Sequence, residues 1–249
     1  MNSENWQERT ELLLGKDKLL LLNKAKVLLV GLGGVGAYSA EMLARAGVGE
    51  LHIIDGDNIH PSNCNRQLLA LGSTNGLSKA VLMEQRLMDI NAAIKVKAQH
   101  LYINKENIPQ ILEGNYDYIV DAIDTLSPKI ALISNALKRN IPIISSMGSG
   151  GKTNPSLVRI ADFEETYNDK LARMLRKRMH KRGIYGGFKV VFSPEQVNPS
   201  ALKFVEDEEN KKTTLGTISY MPTLFGTLMA AEVIRSLCQI TDYQYNKSV

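Results

Sequence analysis

A glycine-rich loop between an apolar run and a helix-like segment constrains the fold of this chain more than any other feature. Residues 31–36 read Gly-Leu-Gly-Gly-Val-Gly, follow the apolar residues 27–30 and open a predicted helix over residues 37–46. Glycines at this spacing allow a tight turn and a close approach of the backbone to phosphate oxygens, and the helix start offers N–H groups to an anion. Asp55 ends the next strand-like run, where a ribose-binding carboxylate is expected. The pattern predicts a Rossmann-like unit that holds a nucleotide through Gly31, Gly33, Gly34, Gly36 and Asp55.

Strand-like and helix-like runs alternate through the first 150 residues or so. Strands are predicted at residues 27–30, 51–54, 94–98, 116–120 and 143–146. Helices are predicted between them at 37–46, at 78–90 with Ser78 as the candidate cap, and from the turn containing Pro128 to 137. This rhythm predicts an α/β fold with a doubly wound, mostly parallel sheet and helices on both faces. Later strands at 157–160 and 189–192 extend the sheet, and an apolar helix covers 224–237.

The bulk composition fits one domain of this kind. A chain of 249 residues with 44% hydrophobic content can bury a real core, and a net charge of +4 permits an anionic partner without demanding one. We predict a single domain over 1–249, with a helical preamble at 1–24, a nucleotide-binding core at 25–151 and a substrate-binding part at 152–249. Because neither a signal peptide nor a membrane-spanning run is seen, we expect a cytoplasmic protein with no membrane partner. Cys64 and Cys238 form no C-x-x-C pair, which argues against a zinc knuckle and a disulfide scaffold.

Four further segments can place charge or open backbone around a bound triphosphate. In the run Asn-Cys-Asn-Arg-Gln at 63–67, Arg66 is either a surface arginine or a phosphate ligand, and Asn65 is either a helix cap or a lining amide. Lys79 opens a predicted helix and is either solvent-facing or turned toward the ligand edge of the sheet. Asp124 is either a helix cap or an oxygen ligand for Mg²⁺. Glycines within 148–151 make either a plain turn or a place where a bulky substrate meets the backbone.

These features narrow the reaction class. A nicotinamide-dependent oxidoreductase would use the glycine loop and Asp55, but would give no role to Arg66, Lys79 and Asp124. The motif order (GxGGxG, Asp, N-x-N-R-Q, G-x-x-K, D-x-x-D) resembles the ATP-dependent adenylating superfamily of ubiquitin-activating enzymes and ThiF, MoeB and HesA proteins, over about residues 15–232.

The resemblance implies a role for each motif residue. It implies that Asp55 holds the ribose of ATP, that Arg66 and Lys79 bind its phosphates, and that Asp124 coordinates Mg²⁺. Arg66, Lys79 and Asp124 are then the candidate catalytic residues. The candidate nucleotide-binding set is Gly31, Gly33, Gly34, Gly36, Asp55, Asp57, Asn63, Asn65, Arg66, Gln67, Lys79 and Asp124.

The cysteine content of the chain distinguishes between branches of that superfamily. Members that activate a ubiquitin-like tail often carry a thiol nucleophile in the second half of the chain, and many carry two C-x-x-C pairs; this chain has neither. Segments 6–9, 187–195 and 216–222 resemble the tRNA threonylcarbamoyladenosine dehydratases instead. One departure is that some members have a cysteine just before the last segment, where this chain has Thr213 and Thr214.

The dehydratase resemblance implies a reaction and two partners. ATP adenylates the threonine carboxylate of the modified adenosine in tRNA, and the neighbouring urea group closes a ring and releases AMP. Relatives complete the ATP site across a two-fold interface, so a homodimer is implied, and Arg9 matches the N-terminal arginine that reaches the partner subunit's ATP. Residues 152–249 then form the tRNA-binding and dimer part. An adenylating activator of a ubiquitin-like or sulfur-carrier C-terminus remains the alternative.

A basic segment at 170–182 supports an RNA partner. Leu171, Met174, Leu175 and Met179 fall at helical spacing, and we expect them to face the core. The cations elsewhere form either a solvated face or a contact with phosphates, and a run without an acidic residue favours the second. The candidate RNA-contacting residues are Lys152, Arg173, Arg176, Lys177 and Lys181. A non-catalytic RNA-binding module is a further alternative.

Overall fold

The computed structural model describes residues 5–204 and 213–240. Two short helices, α1 (Glu8–Leu14) and α2 (Lys16–Lys24), precede the sheet. They meet at Gly15, whose φ of +84° lies in the region that favours glycine. Leu22 of α2 is fully buried and belongs to the main core, so this N-terminal segment packs against the rest of the molecule.

A seven-stranded sheet forms the centre of the molecule. Its strands are β1 (Lys26–Val30), β2 (Glu50–Ile54), β3 (Lys95–Gln99), β4 (Tyr118–Asp121), β5 (Ile143–Ser146), β6 (Arg159–Asp162) and β7 (Lys189–Phe192). Their spatial order is β3-β2-β1-β4-β5-β7-β6, and every neighbouring pair is parallel except β6 and β7. The predicted doubly wound sheet, extended by later strands, is confirmed. A separate hairpin pairs β8 (Leu202–Phe204) with β9 (Thr213–Leu215).

Helices cover both faces of the sheet. One face carries α3 (Gly36–Ala46), α4 (Lys79–Ile90) and α8 (Tyr220–Leu237), and the other carries α5 (Ile108–Ile111), α6 (Leu126–Lys138) and α7 (Lys170–His180). The strand pleat explains the division, because successive side chains point to opposite faces. In β1, for example, Leu29 belongs to the first core and Leu28 to the second.

The predicted element bounds differ from the structure in a few places. The strand expected at 157–160 begins only at Arg159, because Pro155–Leu157 forms a 3₁₀ turn whose first amide is capped by Asn154. Ser78 stands at the N-cap position of α4, but in the described structure its buried hydroxyl makes no hydrogen bond. None of the helices in the described ranges combines the length and apolar character needed to cross a bilayer.

Candidate functional site

Two glycines of the loop are required by the fold itself. The loop joins the carboxyl end of β1 to α3, where the strand order changes direction between β1 and β4. Gly31 has a φ of +92°, and a Cβ there would lie 2.7 Å from the carbonyl oxygen of Ala122. A Cβ on Gly36 would lie 1.7 Å from the carbonyl oxygen of Gly31. No side chain fits at either position without moving the loop.

The middle of the loop is open. A Cβ on Gly33 would meet only the side-chain amide of Gln67, at an ordinary 3.7 Å, whereas one on Gly34 would press on Pro222 at 3.0 Å. Within the described residues, the backbone amides of Gly33, Gly34 and Val35 donate no hydrogen bond. These amides and the N-terminus of α3 together form an arrangement that binds anions.

Asp55 fixes the loop from the end of β2. One carboxylate oxygen accepts the amide of Leu32 at 2.5 Å and the other accepts the amide of Asp57 at 2.7 Å. Burial raises the pKa of this carboxyl above its usual value, while the charge of Lys79 and the two amide bonds act in the opposite direction. Each oxygen keeps a lone pair that can accept a hydroxyl group. Asp55 therefore lies beside the open loop and can bind a ribose there.

Lys79 is held at the same edge of the sheet. Its side chain is buried, and its Nζ lies 2.7 Å from a carboxylate oxygen of Asp57. The other oxygen of Asp57 accepts the Tyr102 hydroxyl at 2.8 Å, which raises the pKa of Tyr102 to about 12. The Tyr102 ring covers Gly56, where a Cβ would lie 2.5 Å from the ring. Sequence reasoning missed Tyr102, since a tyrosine shortly after a strand carries no distinctive signal.

The arginine loop is tied to the last crossover. Arg66 donates from Nη1 to a carbonyl within its own loop and to the Asn65 side chain, both at 2.8 Å, which fixes the direction of the guanidinium. Asn65 donates to the carbonyl of Thr217 at 2.9 Å and so is not a helix cap. Asn63 accepts the amide of His60 at 3.0 Å and holds its own turn. Asn63 and Asn65 therefore position Arg66.

Gln67 places an unsatisfied group beside the glycine loop. Its Nε2 lies close to Gly33, and its Oε1 is buried without a hydrogen-bond partner in the described part of the chain. A buried amide oxygen without a partner marks a place where a ligand or water donor is needed. Gln67 therefore lines the glycine loop, and its place in the nucleotide-binding set stays a prediction.

Asp124 follows β4 and is exposed on the edge where the glycine loop lies. It is not the cap of α6, since Thr125 occupies the N-cap position. The described residues contain no cluster of three or more side chains that could hold a metal ion. A single exposed carboxylate fits Mg²⁺ in the way this ion is commonly held, by one or two carboxylates and the phosphate oxygens of a substrate.

A buried ion pair lies beneath this edge. Lys129 and Asp121 are both fully buried, with 2.7 Å between Nζ and Oδ2, and Ser145 bonds to both partners at 2.9 and 2.6 Å. The second oxygen of Asp121 accepts the amide of Ile123 at 3.1 Å. The cluster ties β4, β5 and α6 together and supports the turn that carries Asp124. Sequence reasoning missed it; the available signal was a lysine on an otherwise apolar helix that starts just after a strand-ending aspartate.

Only part of the predicted RNA-contacting set lies on the surface. Arg173, Lys177 and Lys181 are exposed and stay candidates. Arg176 is half-buried, and its guanidinium donates to the carbonyl and hydroxyl of Thr166 and lies over the ring of Phe163 at 5.8 Å. These contacts hold Arg176 to the fold, and its RNA contact stays a prediction. The apolar face of α7 also differs from prediction. Met174 is 45% exposed and Leu171 half-buried; the buried positions are Ala172, Leu175 and Met179.

Lys152 is not a surface residue, so its predicted RNA contact is wrong. It is 3% exposed, and its Nζ lies 3.2 Å from Asp169 and donates to the carbonyl of Ser193. Asp169 also caps α7 through the amide of Ala172 at 2.9 Å and accepts the amide of Gly148 at 3.2 Å. This pair fixes the start of the basic helix against the glycine run after β5. The glycine run is therefore tied to the start of α7, and its contact with a substrate stays a prediction.

Comparisons with known proteins agree with this geometry. The ThiF family matches residues 7–249. The tRNA threonylcarbamoyladenosine dehydratase of Bacillus subtilis (strain 168) is 39% identical over 236 residues, which cover 92% of this chain and 93% of that protein. The crystal structure of Escherichia coli tRNA N6-threonylcarbamoyladenosine dehydratase in complex with ATP superposes with a TM-score of 0.84 at 31% identity, covering 96% of this chain and 97% of that one. The structure of the E. coli protein with AMP gives a TM-score of 0.85 at 30% identity over the same shares.

The resemblance inferred from the motif order is thus confirmed by both sequence and structure. The chain belongs to the ThiF family and, within it, to the group of the tRNA threonylcarbamoyladenosine dehydratases.

Proposed function

We propose that this protein catalyses the ATP-dependent cyclisation of N6-threonylcarbamoyladenosine in tRNA. The observation that carries the proposal is the edge described above, where open loop amides, the Asp55 carboxylate, the cations Arg66 and Lys79, and Asp124 follow neighbouring strands. This arrangement suits a nucleotide triphosphate in a chain that matches a dehydratase over nearly its full length.

The first step joins the substrate carboxylate to AMP. Asp55 accepts hydrogen bonds from the ribose hydroxyl groups, and the amides of the glycine loop donate hydrogen bonds to phosphate oxygens. An oxygen of the threonine carboxylate attacks the α-phosphorus, the bond between the α- and β-phosphates breaks, and diphosphate leaves. Arg66 and Lys79 stabilise the charge that develops on the phosphates, and this effect is strongest where charge builds up in the transition state. Asp57 neutralises Lys79 until the phosphates arrive.

Asp124 is the residue that would hold Mg²⁺, which when bound neutralises phosphate charge and aligns the triphosphate. The exposed carboxylate after β4 fits this role, and the buried Lys129–Asp121 pair keeps the turn in place.

The second step needs no enzyme nucleophile. The urea group of the threonylcarbamoyl moiety attacks the activated carbonyl, the bond to AMP breaks, and the urea group loses a proton. Because the attacking group belongs to the same molecule, proximity supplies much of the acceleration. Cys238 is unsuited to attack, since it is 1% exposed and burial raises the pKa of its thiol.

The partners of the reaction follow from the surface. The exposed cations Arg173, Lys177 and Lys181 receive tRNA phosphates along α7, while residues 25–151 hold the nucleotide. A second copy of the chain covers α1, where Leu12 and Leu13 are 81% and 83% exposed and the exposed Arg9 points away from the core. We place the protein in the cytoplasm, a reducing setting in which the two free cysteines, Cys64 and Cys238, stay reduced.

The direct test is the mass of the modified nucleoside. The protein is incubated with ATP, Mg²⁺ and tRNA that carries the open modification, and the RNA is then digested. A loss of one water per modified nucleoside is expected, and Arg66→Ala should abolish it together with AMP release. Pyrophosphate exchange that depends on a carrier protein instead of tRNA would replace this proposal with the ubiquitin-like or sulfur-carrier alternative.

A further inference from the structure

A pair of aromatic rings lies at the end of the basic helix. After α7 the chain turns at Gly183, whose φ is +73°, and presents Tyr185 with 59% of its surface exposed. The ring centroids of Tyr185 and His180 lie 4.9 Å apart with a tilt of 43° between the ring planes. His180 is itself exposed as the last residue of α7. One side of the pair is therefore supported by the other ring, while much of the tyrosine faces solvent.

The ring pair is surrounded by positive charge. Arg178, Lys181 and Arg182 are all exposed, and Arg182 donates to the carbonyl of Arg178 at 3.3 Å, which keeps its guanidinium on this turn. Two acidic residues also lie near this turn. Asp162 is engaged, because its carboxylate accepts the amide of Gly187 at 3.1 Å and the amide of Glu164 at 3.1 Å. Asp162 thus holds the turn that carries Tyr185. Glu164 is exposed, and its side chain lies against Gly186, so it offsets part of the positive charge.

We propose that His180 and Tyr185 form a stacking platform for one unpaired base of the RNA. The proposal rests on the proposed function, which makes tRNA the substrate. Proteins that hold single-stranded nucleic acid combine cations that follow the backbone with aromatic rings on which bases stack. Phosphate contacts alone do not distinguish a loop from a duplex, whereas a ring does, since only an unpaired base can leave its stack to lie on it.

The position of the platform identifies which base it holds. Asp169 is the N-cap residue of α7, and its carboxylate binds the glycine run at the ligand edge. The 11 residues of the helix span about 16 Å, and the rings lie at its far end. A base on the platform is therefore not the one that reacts. It belongs to another nucleotide of the same strand, and the platform and the ligand edge together fix the direction in which that strand lies along α7.

The test separates stacking from charge. Binding of tRNA is measured over a series of salt concentrations for Tyr185→Ala, Tyr185→Leu, Tyr185→Phe and Lys177→Ala. Tyr185→Ala and Tyr185→Leu should weaken binding about tenfold and leave the dependence on salt unchanged. Tyr185→Phe keeps the ring and should bind like the wild type. Lys177→Ala should lower the slope of log affinity against log salt by about 0.7 to 0.9.

Each outcome has a distinct meaning. Wild-type affinity of Tyr185→Ala or Tyr185→Leu, with a lowered slope for Lys177→Ala, overturns the platform and leaves tRNA contact by α7 intact. Absence of tRNA binding by the wild-type protein overturns the proposed function. A second measurement does not depend on the folding of any variant: single-stranded and duplex RNA of one length compete for binding to the wild-type protein. The wild-type protein should prefer the single strand, and equal competition by the duplex contradicts the platform.

Discussion

The glycine loop offers a matched pair of substitutions that separates folding from ligand binding. Gly33→Ala and Gly36→Ala add the same methyl group, three residues apart in one loop. At Gly36 the new carbon would lie 1.7 Å from the carbonyl oxygen of Gly31, whereas at Gly33 the nearest atom is 3.7 Å away. We therefore predict that Gly36→Ala damages the fold and that Gly33→Ala damages only nucleotide binding.

The contact distances set the expected magnitudes. At Gly36 the loop must move, and overpacking of a well-packed site costs on the order of 3 kcal/mol or more of unfolding free energy. At Gly33 the methyl group fits, and the reduced entropy of the unfolded chain contributes about 0.4–1 kcal/mol in favour of the variant. The methyl group would stand on the open side of the loop beside Gln67. We therefore expect it to take space that phosphate oxygens need to reach the loop amides.

The assay is thermal unfolding with and without ATP and Mg²⁺. For the wild type, ATP at 100 times its Kd adds about 2.7 kcal/mol, which raises the Tm by about 5–10 °C for a chain of this size. Gly33→Ala should unfold near the wild-type Tm and lose the ATP-dependent rise. Gly36→Ala should unfold at a clearly lower temperature without ATP. A full ATP-dependent rise in Gly33→Ala would show that the open loop does not bind the phosphates. Equal Tm values for the two variants would show that the crowding at Gly36 does not affect stability.

Three further predictions concern buried titratable groups. Lys129→Met leaves the Asp121 carboxylate buried without its cation, so it should lower the unfolding free energy by about 3–5 kcal/mol in urea titration; a loss under 1 kcal/mol contradicts the buried pair. Lys152→Met should lower the unfolding free energy by a similar amount, because it leaves the Asp169 carboxylate buried without its cation. The salt dependence of tRNA binding should stay unchanged, and a reduced slope would show that Lys152 contacts RNA. His52 is 1% exposed and burial lowers its pKa to about 4, so it is neutral when folded. The unfolded imidazole titrates near 6.5, so stability is complete above that pH and falls by roughly 2–3 kcal/mol as pH drops toward 4. His52→Gln should flatten the dependence in that window, and an unchanged curve would show that another group titrates.

Local patterns explain what the sequence could predict. Strands β1 and β7 are short, largely apolar runs bounded by glycine, proline or polar residues. The glycine loop follows β1 directly, so the switch point is visible in one contiguous segment. The role of Asp55 could also be predicted, since an acidic residue at the end of the strand next to such a loop is expected to bind a ribose. These inferences depend only on residues that are adjacent in the sequence and on the periodicity of apolar residues.

Buried cations explain what the sequence could not predict. Lys152 and Arg176 belong to basic or glycine-rich segments whose composition indicates a surface. Lys152 is buried against Asp169 and Ser193, and half-buried Arg176 is held by Thr166. These partners lie in other segments and are reached only once the sheet has formed. The position of Tyr102 likewise depends on Gly56 and Asp57. Its hydrogen bond to Asp57 joins residues that are 45 positions apart in the sequence. Whether a cation is buried thus depends on its tertiary contacts, which the periodicity of the sequence does not predict.

The central claim is that the substrate carboxylate is transferred to AMP before the ring closes. The most direct measurement uses tRNA whose threonine carboxylate carries a heavy oxygen isotope, followed by mass analysis of the products. Because the carboxylate oxygen forms the bond to the α-phosphorus and the carbonyl carbon later breaks from it, AMP should carry one heavy oxygen. Unlabelled AMP, with the heavy oxygen in water or in inorganic phosphate, would contradict the account.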